Sequence, residues 1–125
     1  MRIVRRMLSW FHKPERPKPV IELDASGFSV KGDGVVLRID WADVREVVAF
    51  KEDLFGYDEI CVGFRIGDAD SYPRVTEAFV HYKDLLQELP RRFPGMRKDW
   101  FSEVALPAFA PNWTTLWGVS LKQQS

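Results

Sequence analysis

The strongest constraint on the fold is a long run of alternating apolar and polar residues between Gly34 and Ile66. In its first and last stretches every second residue is apolar: Val35, Leu37, Ile39 and Trp41, then Ile60, Val62, Phe64 and Ile66. Successive side chains of a strand point to opposite sides of a sheet, so this spacing predicts strands with one face on a core and the other in water. The run therefore predicts an antiparallel, β-rich domain.

Turn residues divide the chain into further strands. Six strands are predicted: Val20–Asp24, Phe28–Lys31, Val35–Asp40, about Val44–Lys51, Ile60–Ile66 and Tyr72–Val80. The clearest turn is Lys31–Gly34, which predicts a hairpin. The stretch Val44–Lys51 is apolar on both faces and predicts a central, covered strand, although its spacing also fits a helix. The segment Glu52–Glu59 predicts an acidic loop.

The hydrophobic period changes from two to about 3.6 after Val80. Apolar residues at helical spacing follow: Tyr82, Leu85, Leu86, Leu89 and Phe93. They predict an amphipathic helix near 81–92 that stops near Pro90. Asp99 predicts the cap of a second short helix, and Pro107–Gly118 predicts an aromatic tail that wraps over the domain. The predicted fold class is α+β and mainly β: a strongly bent antiparallel sheet or partly open roll of about six strands, then a helix.

Composition and charge narrow the class of protein. The chain has 125 residues, of which 46% are hydrophobic, enough for one domain with a core of its own. A single cysteine, Cys61, fits a reducing compartment and predicts a cytoplasmic protein with a buried thiol. Residues 1–19 carry six basic groups and one acid, whereas the remainder carries a net charge of −5. An acidic body argues against nucleic-acid binding, which uses a basic face.

The first 19 residues form a basic segment followed by a proline-rich spacer. Their apolar residues have roughly the spacing of one helical face, which predicts a short amphipathic helix. Three positions for this helix remain open: on the β-domain of its own chain, on an anionic membrane as a weak peripheral contact, or on a partner. The residues expected to make such a contact are Arg2, Arg5, Arg6, Trp10 and Phe11. We divide the chain into this segment at 1–19, a single β-rich domain at 20–118 and a polar tail at 119–125.

Two resemblances extend this interpretation. A strand series that ends in an amphipathic helix resembles the pleckstrin-homology-like (PH-like) roll of many interaction domains. The segment IDWADVREVVAFKEDLFGYDEICVGF, with the later LPRRFPG, DWFSEVALPAF and LW, is similar to a family of small uncharacterised bacterial proteins. This similarity runs from about Val20 to Trp117. The PH-like resemblance implies a roll used for interaction, and the family resemblance implies no known activity.

The sequence shows no recognisable catalytic or cofactor motif. His12 and His81 lack a second metal ligand at a suitable spacing, which predicts no metal site. We find no nucleophile elbow, phosphate-binding glycine loop or dinucleotide fingerprint, which predicts no cofactor and no enzymatic activity. A small enzyme that uses paired carboxylates remains an alternative.

The leading functional prediction is a non-catalytic protein-interaction domain, in one version an immunity-like or inhibitor-like protein that neutralises a basic partner. Its expected partner surface combines the acidic loop with an aromatic anchor: Glu52, Asp53, Asp58, Glu59 and Trp113. A peripheral membrane protein that uses the basic N-terminal segment is the second prediction. The sequence leaves the oligomeric state open.

Overall fold

The computed structural model describes residues 17–53, 57–105 and 112–120. Its elements, in chain order, are β1 (Val20–Leu23), β2 (Gly27–Gly32), β3 (Val35–Asp40), a 3-10 turn (Trp41–Asp43), β4 (Val44–Asp53), β5 (Asp58–Ile66), β6 (Arg74–Thr76), α1 (Tyr82–Arg92), α2 (Phe101–Ala105) and β7 (Thr114–Gly118). Six strands precede the amphipathic helix, as the alternating pattern predicts. The predicted N-terminal helix lies outside the described residues.

The strands form two antiparallel sheets that are not closed into a barrel. The first sheet has the order β1-β2-β3 and is a meander of neighbouring strands. The second has the order β6-β5-β4-β7, so β4 lies between β5 and the last strand of the chain. The mainly β, antiparallel character predicted from the sequence is therefore confirmed, with two sheets in place of one bent sheet.

One hydrophobic core joins both sheets to both helices. Phe28 of β2 packs on Phe64 of β5, with ring centroids 5.1 Å apart. Phe28 also contacts Trp41, which meets Phe93 edge to face at 5.9 Å. Leu85 and Leu89 of α1, both fully buried, belong to the same core. Helix α1, which the helical period after Val80 predicts, thus covers the apolar faces of the strands.

The prediction that β5 has one face in water is wrong. Cys61 and Arg65 on its second face are buried at 0% and 7% exposure. The loop before β6 covers this face: a Cβ placed on Gly63 would lie 3.3 Å from the Cβ of Tyr72. The second sheet is consequently covered on both sides, as the apolar pattern of Val44–Lys51 predicts for β4.

Burial along β3 also differs from the expectation. Ile39 is 2% exposed, whereas Val35 at the other end of the strand is 67% exposed. Both residues lie on the same face, because strand side chains alternate. The hairpin of β2 and β3 extends past the core, so the alternation predicts the direction of Val35 but not its burial.

One further strand differs from the prediction in its bounds, whereas helix α1 matches the predicted range 81–92 although it passes Pro90. The strand predicted at Tyr72–Val80 is limited to Arg74–Thr76, because the chain turns after it: the Phe79 N–H donates to the carbonyl of Thr76 at 3.0 Å. Helix α1 continues two residues past Pro90. The Phe93 N–H closes its last turn with a 2.8 Å bond to the carbonyl of Leu89, so a missing N–H at Pro90 does not end the helix there.

The aromatic tail supplies a strand that the sequence does not predict. Within it, Thr114–Gly118 pairs antiparallel with β4, and Leu116 is buried in the core. Trp117 packs on Phe93 with ring centroids 4.7 Å apart. This part of the segment does lie against the domain, as predicted, but as the edge strand of the second sheet.

Candidate partner-binding surface

The predicted acidic loop is the paired end of two long strands. Glu52 lies directly opposite Glu59, and Asp53 lies directly opposite Asp58 in the ladder between β4 and β5. Because side chains alternate between faces, these two pairs lie on opposite sides of the sheet. The structure therefore divides the predicted acidic surface into a core-side half and an outer half.

In the core-side half, Asp58 binds a side chain of the same protein. Lys51, whose side chain is 2% exposed, lies 3.5 Å from a carboxylate oxygen of Asp58. Its ammonium also donates to the carbonyl of Ala105 at the end of α2, at 3.0 Å. Asp58 thus compensates a buried lysine, and Lys51 fastens the hairpin to α2. The side chain of Asp53 lies outside the described residues.

The outer half is more accessible. Arg74 of β6 binds Glu52 through two nitrogens, at 2.8 and 3.0 Å. The Glu52 side chain is 30% exposed, and Glu59 beside it is half-buried. Carboxylates directly opposite each other in a ladder repel, and Arg74 relieves part of this repulsion.

The aromatic anchor predicted from the sequence, Trp113, lies on the same outer face. Its ring stacks on Phe50 at 5.0 Å between centroids and meets Tyr72 edge to face at 4.9 Å. Phe50 precedes Glu52 by two positions and so shares its side of β4. We call this group the acidic–aromatic surface; its members are Phe50, Glu52, Glu59, Tyr72 and Trp113. It unites three of the five residues predicted to contact a partner.

A buried carboxylate lies next to this surface and was not predicted. Glu46 of β4 is fully buried and accepts bonds from the Tyr72 hydroxyl at 2.6 Å and the Thr115 hydroxyl at 2.7 Å. Arg65 approaches the same carboxylate at 3.3 Å and donates to the carbonyl of Val119 at 2.9 Å. We call these four residues the Glu46 network. It joins β4, β5, β7 and the loop before β6.

Burial changes the acidity of two groups on this face. Burial and the bond to Glu46 raise the pKa of Tyr72 to about 12. Burial also raises the pKa of the Cys61 thiol to about 12, and the carboxylate of Glu52 adds to the effect. Cys61 is therefore a buried, protonated thiol, as the sequence predicts.

A separate apolar groove lies at the open end of the first sheet, with a volume of about 450 Å³. Val30, Val35 and Leu37 form its wall on β2 and β3, and Phe79 faces them. Lys18 and Arg74 also line the groove. The exposed end of β3 thus borders a concave apolar surface.

The remaining predicted contact residues belong to the N-terminal segment. The N-terminal contact residues Arg2, Arg5, Arg6, Trp10 and Phe11 lie outside the described residues, so the membrane hypothesis stays a prediction. In the ranges that the structure describes, no helix is long and apolar enough to cross a membrane. Nor do three or more His, Cys, Asp or Glu residues of these ranges come together in a group that could hold a metal ion.

Comparison with known proteins gives no further assignment: no protein-family model, curated protein or solved structure matches the chain. The resemblances drawn from the sequence therefore remain predictions.

Proposed function

We propose that this chain acts by binding a protein, and that the acidic–aromatic surface is its contact site. The observation that carries the proposal is the register of β4 and β5, which sets Glu52 beside Glu59 on the face that also holds Trp113. Aromatic side chains are enriched at interface centres, and complementary charges beside them steer the partner. This arrangement supports a role in partner binding better than it supports a catalytic role.

The charge of the surface favours a basic partner. Two carboxylates lie directly opposite each other, and Arg74 binds only Glu52 among them in the described contacts. A cationic group of a partner would gain attraction from both carboxylates and relieve their mutual repulsion. An inhibitor-like or immunity-like protein that neutralises a basic target is a concrete form of this function.

The proposal extends to fold family and location. We propose a PH-like roll, supported by the series of six strands that leads into α1. We also propose a cytoplasmic protein, supported by a single, buried and unpaired cysteine. The proposed partner surface depends on neither the fold family nor the location.

Charge reversal tests the surface directly. C-terminally tagged chain is used to recover proteins from lysate of its own source, and Glu59→Lys is compared with the native sequence by quantitative mass spectrometry. Glu22→Lys on β1 is the matched control, since Glu22 is an exposed acid that also lies near a basic side chain, Lys31. We expect one protein to be recovered with the native chain and the control, and to be reduced at least about tenfold with Glu59→Lys.

A second variant separates the aromatic contribution. Trp113→Ala removes the ring that stacks on Phe50 and should weaken recovery of the same protein. Thermal melts of all variants establish that the fold is retained. Equal recovery by Glu59→Lys and the native chain, with intact folding, would exclude this surface as the contact site.

A further inference from the structure

The outer edge of β3 is open within the described part of the chain. The first sheet ends at this strand, and its two exposed valines, Val35 and Val36, are 67% and 62% exposed. Unpaired strand edges with apolar side chains are templates for another strand. The other end of this sheet differs, because Ile21 of β1 and Pro19, which precedes the strand, both bond to Val80.

The hairpin geometry shows which backbone groups point outward. Asp33 and Gly34 have φ angles of 49° and 74°, the signature of a type I′ turn, so the flanking pair Gly32 and Val35 is hydrogen-bonded. Alternation along an antiparallel ladder then directs Val35, Leu37 and Ile39 toward β2. The N–H and C=O groups of Val36 and Arg38 point away from β2.

The charges on β3 do not protect this edge. The guanidinium of Arg38 is bound by Asp24 at 2.5 Å and by Asp40 at 2.9 Å. These contacts lie on the outer face of its own sheet and neutralise the cation. Its aliphatic stem remains available to pack beside an incoming strand.

The edge is complementary to itself. In an antiparallel pair centred on Leu37, the outward groups of Val36 bond to those of Arg38 in the other copy, giving four hydrogen bonds about the twofold axis. On the inner face, Leu37 meets its own copy and Val35 meets Ile39 of the second copy, so all contacts there are apolar. A pair centred on Arg38 would instead bring together two Asp24–Arg38–Asp40 clusters, each with two carboxylates around one guanidinium, which is unfavourable.

We propose that two copies of this chain associate through β3 in the register centred on Leu37, forming a continuous six-stranded sheet. The association is independent of the acidic–aromatic surface, which lies on the second sheet. It buries the two exposed valines and extends the apolar wall of the groove. Because a single short strand pair is a small interface, the dimer should be reversible and form in the micromolar range.

Sedimentation analysis across that concentration range tests the association. Val36→Pro removes an outward N–H without breaking a bond to β2, since prolines are tolerated at sheet edges. Val36→Thr keeps the N–H and is the matched control. We expect dimer in the native chain and in the control, and association at least about tenfold weaker in Val36→Pro.

Two further variants keep the test decisive. Val36→Glu faces the Asp24–Arg38–Asp40 cluster of the second copy, in which two carboxylates surround one guanidinium. It should therefore also weaken the dimer, and it serves as the test if the proline variant does not fold. Leu37→Cys should form an intermolecular disulfide under mild oxidation, because residues facing each other in a non-hydrogen-bonded pair are about 4.5 Å apart. Val35→Cys should not form this disulfide, although Val35 is more exposed. In this register Val35 of one copy lies opposite Ile39 of the other, four positions from the second Val35.

The outcomes separate this proposal from the partner proposal. A native chain that stays monomeric throughout the range, or cross-linking of Val35→Cys as efficient as that of Leu37→Cys, would overturn the β3 dimer. Neither result bears on recovery of a partner through Glu59. Loss of that partner in Glu59→Lys would in turn leave the sedimentation of the dimer unchanged.

Discussion

Removing the Tyr72 hydroxyl should reveal how strongly the buried carboxylate of Glu46 depends on its partners. The hydroxyl donates at 2.6 Å to a group that is fully buried. A hydrogen bond to a charged group contributes about 1.5–3 kcal/mol. Because Thr115 and Arg65 still contact the carboxylate, we expect Tyr72→Phe to lower the free energy of unfolding by about 2 kcal/mol, or the Tm by roughly 6–10 °C.

A second substitution tests whether the network acts as a unit. Glu46→Gln keeps the shape of the side chain but leaves Arg65, which is 7% exposed, without its carboxylate. Breaking a buried ion pair in this way costs about 3–5 kcal/mol. In the Glu46→Gln background, Tyr72→Phe should cost at least about 1 kcal/mol less than in the native chain, since the charged acceptor has gone.

Urea unfolding followed by tryptophan fluorescence and circular dichroism measures all four members of this cycle. Tyr57→Phe is the control, because Tyr57 is 59% exposed, and it should change stability by less than about 0.5 kcal/mol. The reasoning fails if Tyr72→Phe costs the same in both backgrounds. It also fails if Tyr57→Phe is as destabilising as Tyr72→Phe.

Three other expectations follow from single residues. Gly27→Ala should destabilise by about 1–3 kcal/mol in a thermal melt, because its Cβ would lie 2.1 Å from the backbone oxygen of Ile39; an unchanged Tm would contradict the close approach. Cys61, whose pKa is raised from 9.0 to about 12, should react with iodoacetamide at pH 8 on the order of a thousandfold more slowly in the native state than in urea; equal rates would show an accessible thiol. The pKa of Tyr72 is raised from 10.0 to about 12, so the unfolded tyrosine loses its proton first and stability should fall as pH rises through that window; Tyr72→Phe should make this fall shallower, and an identical slope would contradict the shift.

The parts of the fold that depend on neighbouring residues could be predicted from the sequence. The turn at Asp33 and Gly34, the bounds of β3 and the period of α1 each arise from a short window of chain. Alternation and turn residues specify such elements locally. The same local rules place Ile60 and Phe64 on the core.

The parts of the fold that depend on distant residues could not be predicted from the sequence. The strand Thr114–Gly118 is short and begins with two threonines, and only its pairing with β4 makes it a strand. Burial of the second face of β5 likewise requires Tyr72, which Trp113 contacts, to lie over it. A buried Glu46 had one sequence signal: it has the same parity along β4 as the apolar Val48, which indicates an acid on a covered face that needs partners.

The candidate surface was predicted in composition but not in arrangement. Glu52, Asp58 and Trp113 are named by the sequence, yet which of them share a face depends on the pairing register of β4 and β5. A shift by one residue would exchange the two faces. The sequence names the acids, and the register decides that Asp58 compensates Lys51 while Glu59 stays on the outer side.

The position of β7 beside β4 has a consequence for how the chain acquires its structure. Glu46 and Thr115, which bond across this ladder, are 69 positions apart, whereas the first sheet joins strands that follow one another directly. Closing a long loop costs more entropy and slows folding. During synthesis the first sheet can therefore assemble early, while the edge of β4 with its fully buried Val48 waits for Thr114–Gly118 to leave the ribosome. During that interval the nascent chain exposes an unpaired strand edge, which favours aggregation.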